Sequence, residues 1–256
     1  MTGTGSFVWY ELMTTDPAAA QAFYGKVMGW TFADSGMPGM SYTLFHAGQT
    51  RTGGMMAMPD RLRESGGKPA WFGYVAVDDV DEAAEQVRQE GGEIHRAPDD
   101  IPGIGRFAMA SDPQGAVFVL FRGIGEPPSE PPPGTPGRFG WHELHAHDWE
   151  KAYAFYSGLL GWETGETFDM GPGGKYQVFT RDTSMLGGML SDARAERPFW
   201  LYYVNAEDID AAQVRVGEAG GQVTDGPHPV PGGMWIVHAT DQQGARFALV
   251  GPRKPA

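Results

Sequence analysis

Two glutamates carry the first chemical signal in this sequence. Glu11 lies in the run Phe7-Val8-Trp9-Tyr10-Glu11-Leu12, and Glu143 lies in Phe139-Gly140-Trp141-His142-Glu143-Leu144. Each run reads as a β-strand, whose side chains alternate between faces. Glu11 therefore shares a face with Phe7, Trp9 and Met13, and Glu143 shares one with Phe139, Trp141 and His145. A carboxylate on so apolar a face must be paired, hydrogen-bonded or protonated. A raised pKa would suit a general base or acid. The alternative is a structural acceptor for backbone N–H groups or an arginine. The catalytic candidates are Glu11, Glu143 and His145. Alternation also places His147 with Glu143 and His145, while His142 faces away. With His238 from a nearby strand, Glu143 and His145 form an alternative metal set suited to zinc or iron. The competing reading is surface or hydrogen-bonded histidines. His46, His95 and His228 show no partner in the sequence.

The elements that position these residues occur twice. Ala22-Phe23-Tyr24-Gly25 returns as Ala154-Phe155-Tyr156-Ser157, Gly29-Trp30 as Gly161-Trp162, and Tyr42 as Tyr176. Gly53-Gly54-Met55 returns as Gly187-Gly188-Met189, and Asp112-Pro113-Gln114-Gly115 as Asp241-Gln242-Gln243-Gly244. Matches in one order at near-constant spacing mean an internal repeat. The expected domains are 1–123 and 138–256, with a linker over 124–137 that holds Pro127-Pro128-Ser129-Glu130-Pro131-Pro132-Pro133. Proline fixes φ and supplies no N–H, so this stretch reads as a semi-rigid spacer. A ligand for a proline-recognising module is the alternative.

Each copy reads as two half-units of the same order: strand, helix, strand, strand, strand. Asp16-Pro17 starts a helix with an aspartate cap and proline in the first turn, and Gly29 stops it. A second helix begins near Asp79, carries Val80, Ala83, Ala84 and Val87, and ends at Gly91-Gly92. The expected class is α+β: two tandem modules, each a pair of βαβββ units forming a curled mixed sheet with helices on the outer face. Gly53-Gly54 and Gly187-Gly188 lack the setting of a phosphate loop and mark bulges or close backbone approach. Asp112-Pro113-Gln114-Gly115 is a turn by composition.

Composition narrows the function. A net charge of -13 over 256 residues argues against nucleic acid and anionic lipid as partners. The absence of cysteine removes disulfides, thiolate metal sites and a cysteine nucleophile. No segment approaches a membrane span, and the first residues lack a secretory signal, so a cytoplasmic protein is expected.

In these motifs the sequence resembles the vicinal-oxygen-chelate superfamily, which includes glyoxalase I, bleomycin-resistance proteins and extradiol dioxygenases. The carriers are Asp16, Phe23-Tyr24, Gly29-Trp30, the Val77-Asp78-Asp79 turn, Gly91-Gly92 and Asp112-Pro113-Gln114-Gly115, each repeated in the second copy. The resemblance implies that paired half-units curl each sheet into a cup that holds the site. It also implies four inward metal-ligand positions per copy. Here these are Trp9, Met55, Phe72 and Val119, then Trp141, Met189, Leu201 and Ala248. None offers imidazole or carboxylate, so no cofactor is expected at the family's usual metal site. If Trp9 points inward, so do Phe7, Glu11 and Met13, with Phe139, Trp141, Glu143 and His145 in the second copy. Trp9, Phe72, Tyr74, Trp141, Tyr203 and Arg246 are the expected substrate-binding residues, by stacking on a planar ligand or by polar contact. Two functions follow. One is a glyoxalase-like enzyme moving a proton next to a carbonyl. The other is a non-catalytic binder of a small, partly aromatic molecule. The chain is expected as a monomer or homodimer.

Overall fold

The computed structural model describes residues 3–125 and 132–254. Most of the proline run expected as a spacer, residues 127–131, lies outside the described residues. The first copy runs β1 (Phe7–Thr14), α1 (Pro17–Met28), β2 (Thr31–Asp34), β3 (Tyr42–Ala47), β4 (Thr50–Ala57), α2 (Asp60–Glu64), β5 (Ala70–Ala76), α3 (Val80–Gln89), β6 (Glu93–Ile101), β7 (Gly105–Ser111) and β8 (Val117–Gly123). The second runs β9 (Phe139–Ala146), α4 (Trp149–Leu160), β10 (Glu163–Asp169), β11 (Lys175–Arg181), β12 (Ser184–Ser191), β13 (Phe199–Asn205), α5 (Ile209–Glu218), β14 (Gln222–Val230), β15 (Met234–Thr240) and β16 (Arg246–Pro252). The α+β class and the doubled βαβββ order are those read from the sequence. The short α2 was not anticipated.

The strands form two eight-stranded sheets, ordered β2-β3-β4-β1-β5-β8-β7-β6 and β10-β11-β12-β9-β13-β16-β15-β14. Both are mixed: β1 runs parallel to β4 and β9 to β12, while β3–β4 and β11–β12 are antiparallel hairpins. An aspartate caps each of the four longer helices. Asp16 accepts from Ala19 N, Asp79 from Asp81 N and Glu82 N, Asp148 from Lys151 N, and Asp208 from Asp210 N and Ala211 N. Such caps satisfy N–H groups that a helix start leaves without partners.

Two compact units make up the chain, and each takes one half from each copy. The first is built mainly from β5–β8 with α3 and β9–β12 with α4. Within it, Gln114 donates to the Asp148 carbonyl and accepts from Asp148 N, both at 2.8 Å. Trp200 Nε1 donates to the Tyr156 hydroxyl at 3.0 Å, and Trp162 stacks on Phe179 at 4.2 Å. The second unit is built mainly from β1–β4 with α1 and β13–β16 with α5. There the Gln243 carbonyl accepts from Thr15 Oγ1 at 2.6 Å and Asp16 N at 2.7 Å. Trp71 Nε1 donates to the Tyr24 hydroxyl, which donates to Asp241, each at 3.0 Å. The Asp-x-Gln-Gly motif is thus a turn, as expected, and its Gln docks on the helix cap of the other copy.

Strict alternation fails at the start of both leading strands. Phe7 does not join Trp9. It stacks on His142 at 3.8 Å and meets Trp200 edge-on, while Val8 packs with Trp9 against the Tyr74, Phe107 and Val119 cluster. Phe139 likewise stacks on Tyr10 at 3.8 Å and packs on Trp71 and Tyr202. The inward placement of Phe7 and Phe139 is therefore corrected.

Candidate acid–base site

The second copy gathers a continuous line of polar side chains on its leading strand. Glu143 and His145, two residues apart on β9, point the same way and are both buried. His145 Nε2 lies 2.8 Å from Glu143 Oε1, and His145 Nδ1 lies 2.9 Å from Asp192 Oδ2. On the other side, the Tyr176 hydroxyl on β11 donates to Glu143 Oε2 at 2.9 Å and accepts from Trp141 Nε1 at 2.8 Å. Phe199, the first residue of β13, stacks on the His145 ring at 4.5 Å and 11°. Backbone bonds fix the frame, since Asp192 N donates to the Ala146 carbonyl at 2.7 Å and Arg194 N donates to Asp192 Oδ1 at 3.0 Å.

One glycine, Gly188, makes this line possible. Gly188 is the Cα partner of Glu143, and the Tyr176 ring crosses it so closely that a Cβ there would overlap the ring and its hydroxyl. Gly187 is equally crowded, by Phe179 and the His142 carbonyl. The β11–β12 register shifts between Phe179 and Thr180, next to the pair. Close approach and a bulge are what the sequence predicted here. Gly54 repeats the geometry in the first copy, lying opposite Glu11 and under the Tyr42 ring.

Electrostatics separate two histidines on the one strand. Burial pulls His145 towards its neutral form. The hydrogen bond and charge of Glu143, then those of Asp192, outweigh burial and hold its pKa above the usual value. Burial would raise Asp192, but its bonds from His145 and Arg194 N keep it below the usual carboxylate range. Burial, with the Glu143 charge, pushes Tyr176 well up, so it stays a hydrogen-bond donor. His142 instead faces an apolar core, its Nδ1 2.5 Å from the Leu186 carbonyl, and burial lowers its pKa to about 4.

Glu11 is buried on β1. Trp9, Phe72 and Tyr74 pack in an apolar cluster with Phe107, Met109 and Phe121. Tyr203 is buried, its hydroxyl 2.7 Å from His238 Nε2. Arg246 is exposed, opposite Thr240 at the start of β16. Of the alternative metal set, Glu143 and His145 bond each other while His238 is engaged by Tyr203. Among the described residues no three His, Cys, Asp or Glu side chains are grouped to hold a metal ion. Of the positions that the resemblance assigns to metal ligands, Met55, Met189, Leu201, Val119 and Ala248 are buried hydrophobic side chains, which do not fit a divalent ion. His228, read as unpartnered, bonds Asp225 at 2.9 Å. Sequence reasoning missed Asp192, Tyr176 and Phe199 as members of the site. The Tyr42–Tyr176 repeat was visible, but its reach to the glutamate was not.

Paired βαβββ halves set the architecture, and the chain belongs to the Glyoxalase/Bleomycin resistance protein/Dioxygenase superfamily, whose family pattern matches residues 6–120 and 138–249. It is 32% identical over 263 residues to the anthracycline biosynthesis protein DauV of Streptomyces sp. (strain C5), covering 96% of this chain and 93% of that one. It is 31% identical over 250 residues to CFP32 of Mycobacterium tuberculosis, provisionally named a glyoxylase, covering 95% and 94%. In fold it is similar to a Mn(II)-bound glyoxalase from Novosphingobium aromaticivorans, with TM-score 0.67, 14% identity, and 99% of this chain and 84% of that one covered. It is also similar to the 2,3-dioxygenase LapB from Pseudomonas sp. KL28, with TM-score 0.65, 14% identity, and 100% and 95% covered. Among the described residues no helix is long and apolar enough to cross a membrane.

Proposed function

We propose that this chain binds a small, partly aromatic carbonyl compound and moves a proton at the carbon next to the carbonyl, as a lyase or isomerase would, without the family's usual metal. The observation that carries this is the Glu143 carboxylate, held at 2.9 Å by Tyr176 and at 2.8 Å by His145, with Asp192 behind the imidazole. At rest the imidazolium lies between the Glu143 and Asp192 carboxylates. When Glu143 takes the substrate proton it becomes neutral. The negative charge that Glu143 gives up then sits on the enolate, and the His145 Nε2–H, with its imidazolium held by Asp192, is released from Glu143 to donate to the enolate oxygen. Burial strengthens these charge interactions, which bulk water would screen. The relative named for anthracycline biosynthesis supports an aromatic carbonyl substrate. A cytoplasmic monomer or homodimer, with no nucleic-acid or membrane partner, completes the reading.

A second reading is non-catalytic binding, favoured by the apolar cluster of Trp9, Phe72, Tyr74, Phe107 and Phe121. One experiment separates the two. Metal-stripped protein is incubated in deuterium oxide with a panel of aryl methyl ketones and with the methylglyoxal–glutathione adduct. Exchange at the α-carbon is followed by NMR, and binding by tryptophan fluorescence. Exchange that Glu143→Gln abolishes with unchanged affinity supports the enzyme. Binding without exchange in the wild type supports the binder and overturns the proton-transfer reading. Strong turnover of the glutathione adduct restored by a divalent metal would overturn the metal-free part.

A further inference from the structure

We infer that Asp192 and Phe199 are positioning residues that fix the His145 ring against Glu143, and that they restrict this acid–base arrangement to the second copy. The inference rests on the proton-transfer reading for its purpose, but its geometry stands alone. Three observations carry it.

The first is the clamp itself. Asp192 lies just past the end of β12, where the chain would otherwise leave the sheet. Its N–H bonds the Ala146 carbonyl and its carboxylate accepts from Arg194 N, so the side chain is fixed before it meets His145. Its Oδ2 engages Nδ1 at 2.9 Å, which directs Nε2 to Glu143 Oε1 at 2.8 Å. Phe199 stacks on one face of the ring at 4.5 Å and 11° and so favours this ring plane. The second is burial. The His145 and Asp192 side chains are only 10% and 12% exposed, so a lost partner would not be replaced by bulk water.

The third is the internal control that the duplication provides. The registers Leu12↔Met55 and Met13↔Met56 match Leu144↔Met189 and His145↔Leu190. Met58 N bonds the Thr14 carbonyl as Asp192 N bonds that of Ala146. Met13 therefore stands at the position of His145, Met58 at that of Asp192, and Ala70, which opens β5, at that of Phe199. All three members differ together, while Trp9, Glu11 and Tyr42 keep the types of Trp141, Glu143 and Tyr176. A thioether gives neither an ionic partner nor a strong hydrogen bond.

The test is imidazole ¹⁵N NMR on the full chain across pH. Groups facing His145 are Glu143 on its own strand, Asp192 after β12 and the neutral Phe199 on β13, with Tyr176 and Arg194 acting through the two carboxylates. In the wild type His145 should titrate above the ordinary histidine midpoint. Asp192→Asn should lower that midpoint by about 1 unit or more, tenfold in proton affinity. Phe199→Ala should broaden the ring signals through rotamer exchange. Asp192→Glu should restore much of the wild-type titration. A His145 midpoint unmoved by Asp192→Asn in folded protein overturns the inference. A second variant covers misfolding of the first. Met13→His, Met58→Asp and Ala70→Phe together should add an imidazole with an elevated midpoint, and an ordinary midpoint there would show that these positions do not separate the copies. Loss of α-proton exchange in Glu143→Gln is a different measurement. If exchange survives that change while the His145 titration behaves as stated, the proton-transfer reading fails and the clamp remains.

Discussion

Replacing His142 with phenylalanine removes a ring that the fold holds neutral against its ordinary tendency. His142 is 6% exposed, stacked on Phe7, and its pKa is lowered to about 4. In the unfolded chain the same ring takes up a proton near ~6.5. Between those values the unfolded state binds more protons, so stability rises with pH and is lost on acidification. At ~1.36 kcal/mol per unit the full penalty is about 3 kcal/mol, reached below pH ~4, and about 2 kcal/mol is already lost at pH ~5. The variant leaves the Leu186 carbonyl without its donor, a cost of about 1 kcal/mol that does not depend on pH. His145 works in the opposite sense. Its raised pKa gives stability that is full below the unfolded value and lost as pH rises through the folded one. It is present in both proteins and cancels in the difference. Urea unfolding of wild type and His142→Phe at pH 7 and pH 5 should therefore show the wild type losing about 2 kcal/mol more than the variant. Parallel losses would refute the argument, as would an NMR midpoint for His142 near the ordinary histidine value.

Gly188→Ala drives a Cβ into the Tyr176 ring. It should cost about 1–3 kcal/mol, read as a Tm lowered by about 2–12 °C, and should displace the hydroxyl from Glu143; an unchanged Tm would mean the ring has room that the geometry denies. Asp241→Ala leaves the Tyr24 hydroxyl and the N–H groups of Gln243 and Ala245 without their acceptor. It should cost about 3–5 kcal/mol by urea unfolding, with Asp241→Asn recovering part, and a loss below about 1 kcal/mol would remove that carboxylate from the account of the fold.

The fold was legible because repetition and punctuation agree. Asp16 and Asp79 announced helix starts, Gly29 announced a stop with φ 71°, and the matched motifs fixed two copies of one plan. The site was legible only where chemistry lay on one strand. Glu143 and His145 sit two residues apart, and alternation alone brings them together. Asp192 was not legible, because it enters from a loop just past a strand, where no periodicity constrains direction. Tyr176 was not, because its reach to Glu143 depends on one glycine, Gly188, on the intervening strand, a three-body relation that spacing does not encode. Phe7 was misplaced for a related reason, since alternation describes the middle of a strand better than its first residue.

The comparison between copies also says how much each feature weighs. Gly54, Tyr42 and Glu11 repeat Gly188, Tyr176 and Glu143, so a buried glutamate opposite a glycine, with a tyrosine ring crossing that glycine, belongs to the module as such. A shared feature of this kind is explained by the need to satisfy a carboxylate that the strand buries, whatever the protein does. It cannot by itself argue for catalysis. His145, Asp192 and Phe199 are different in kind. They add a second buried charge, a counter-charge and a ring to hold it, where Met13, Met58 and Ala70 would have packed with no electrostatic cost. Replacing buried ionic groups by apolar ones of similar volume is often neutral or stabilising. A His–Asp pair present in only one of two equivalent places is therefore not explained by stability alone, and it is the first place to test for chemistry.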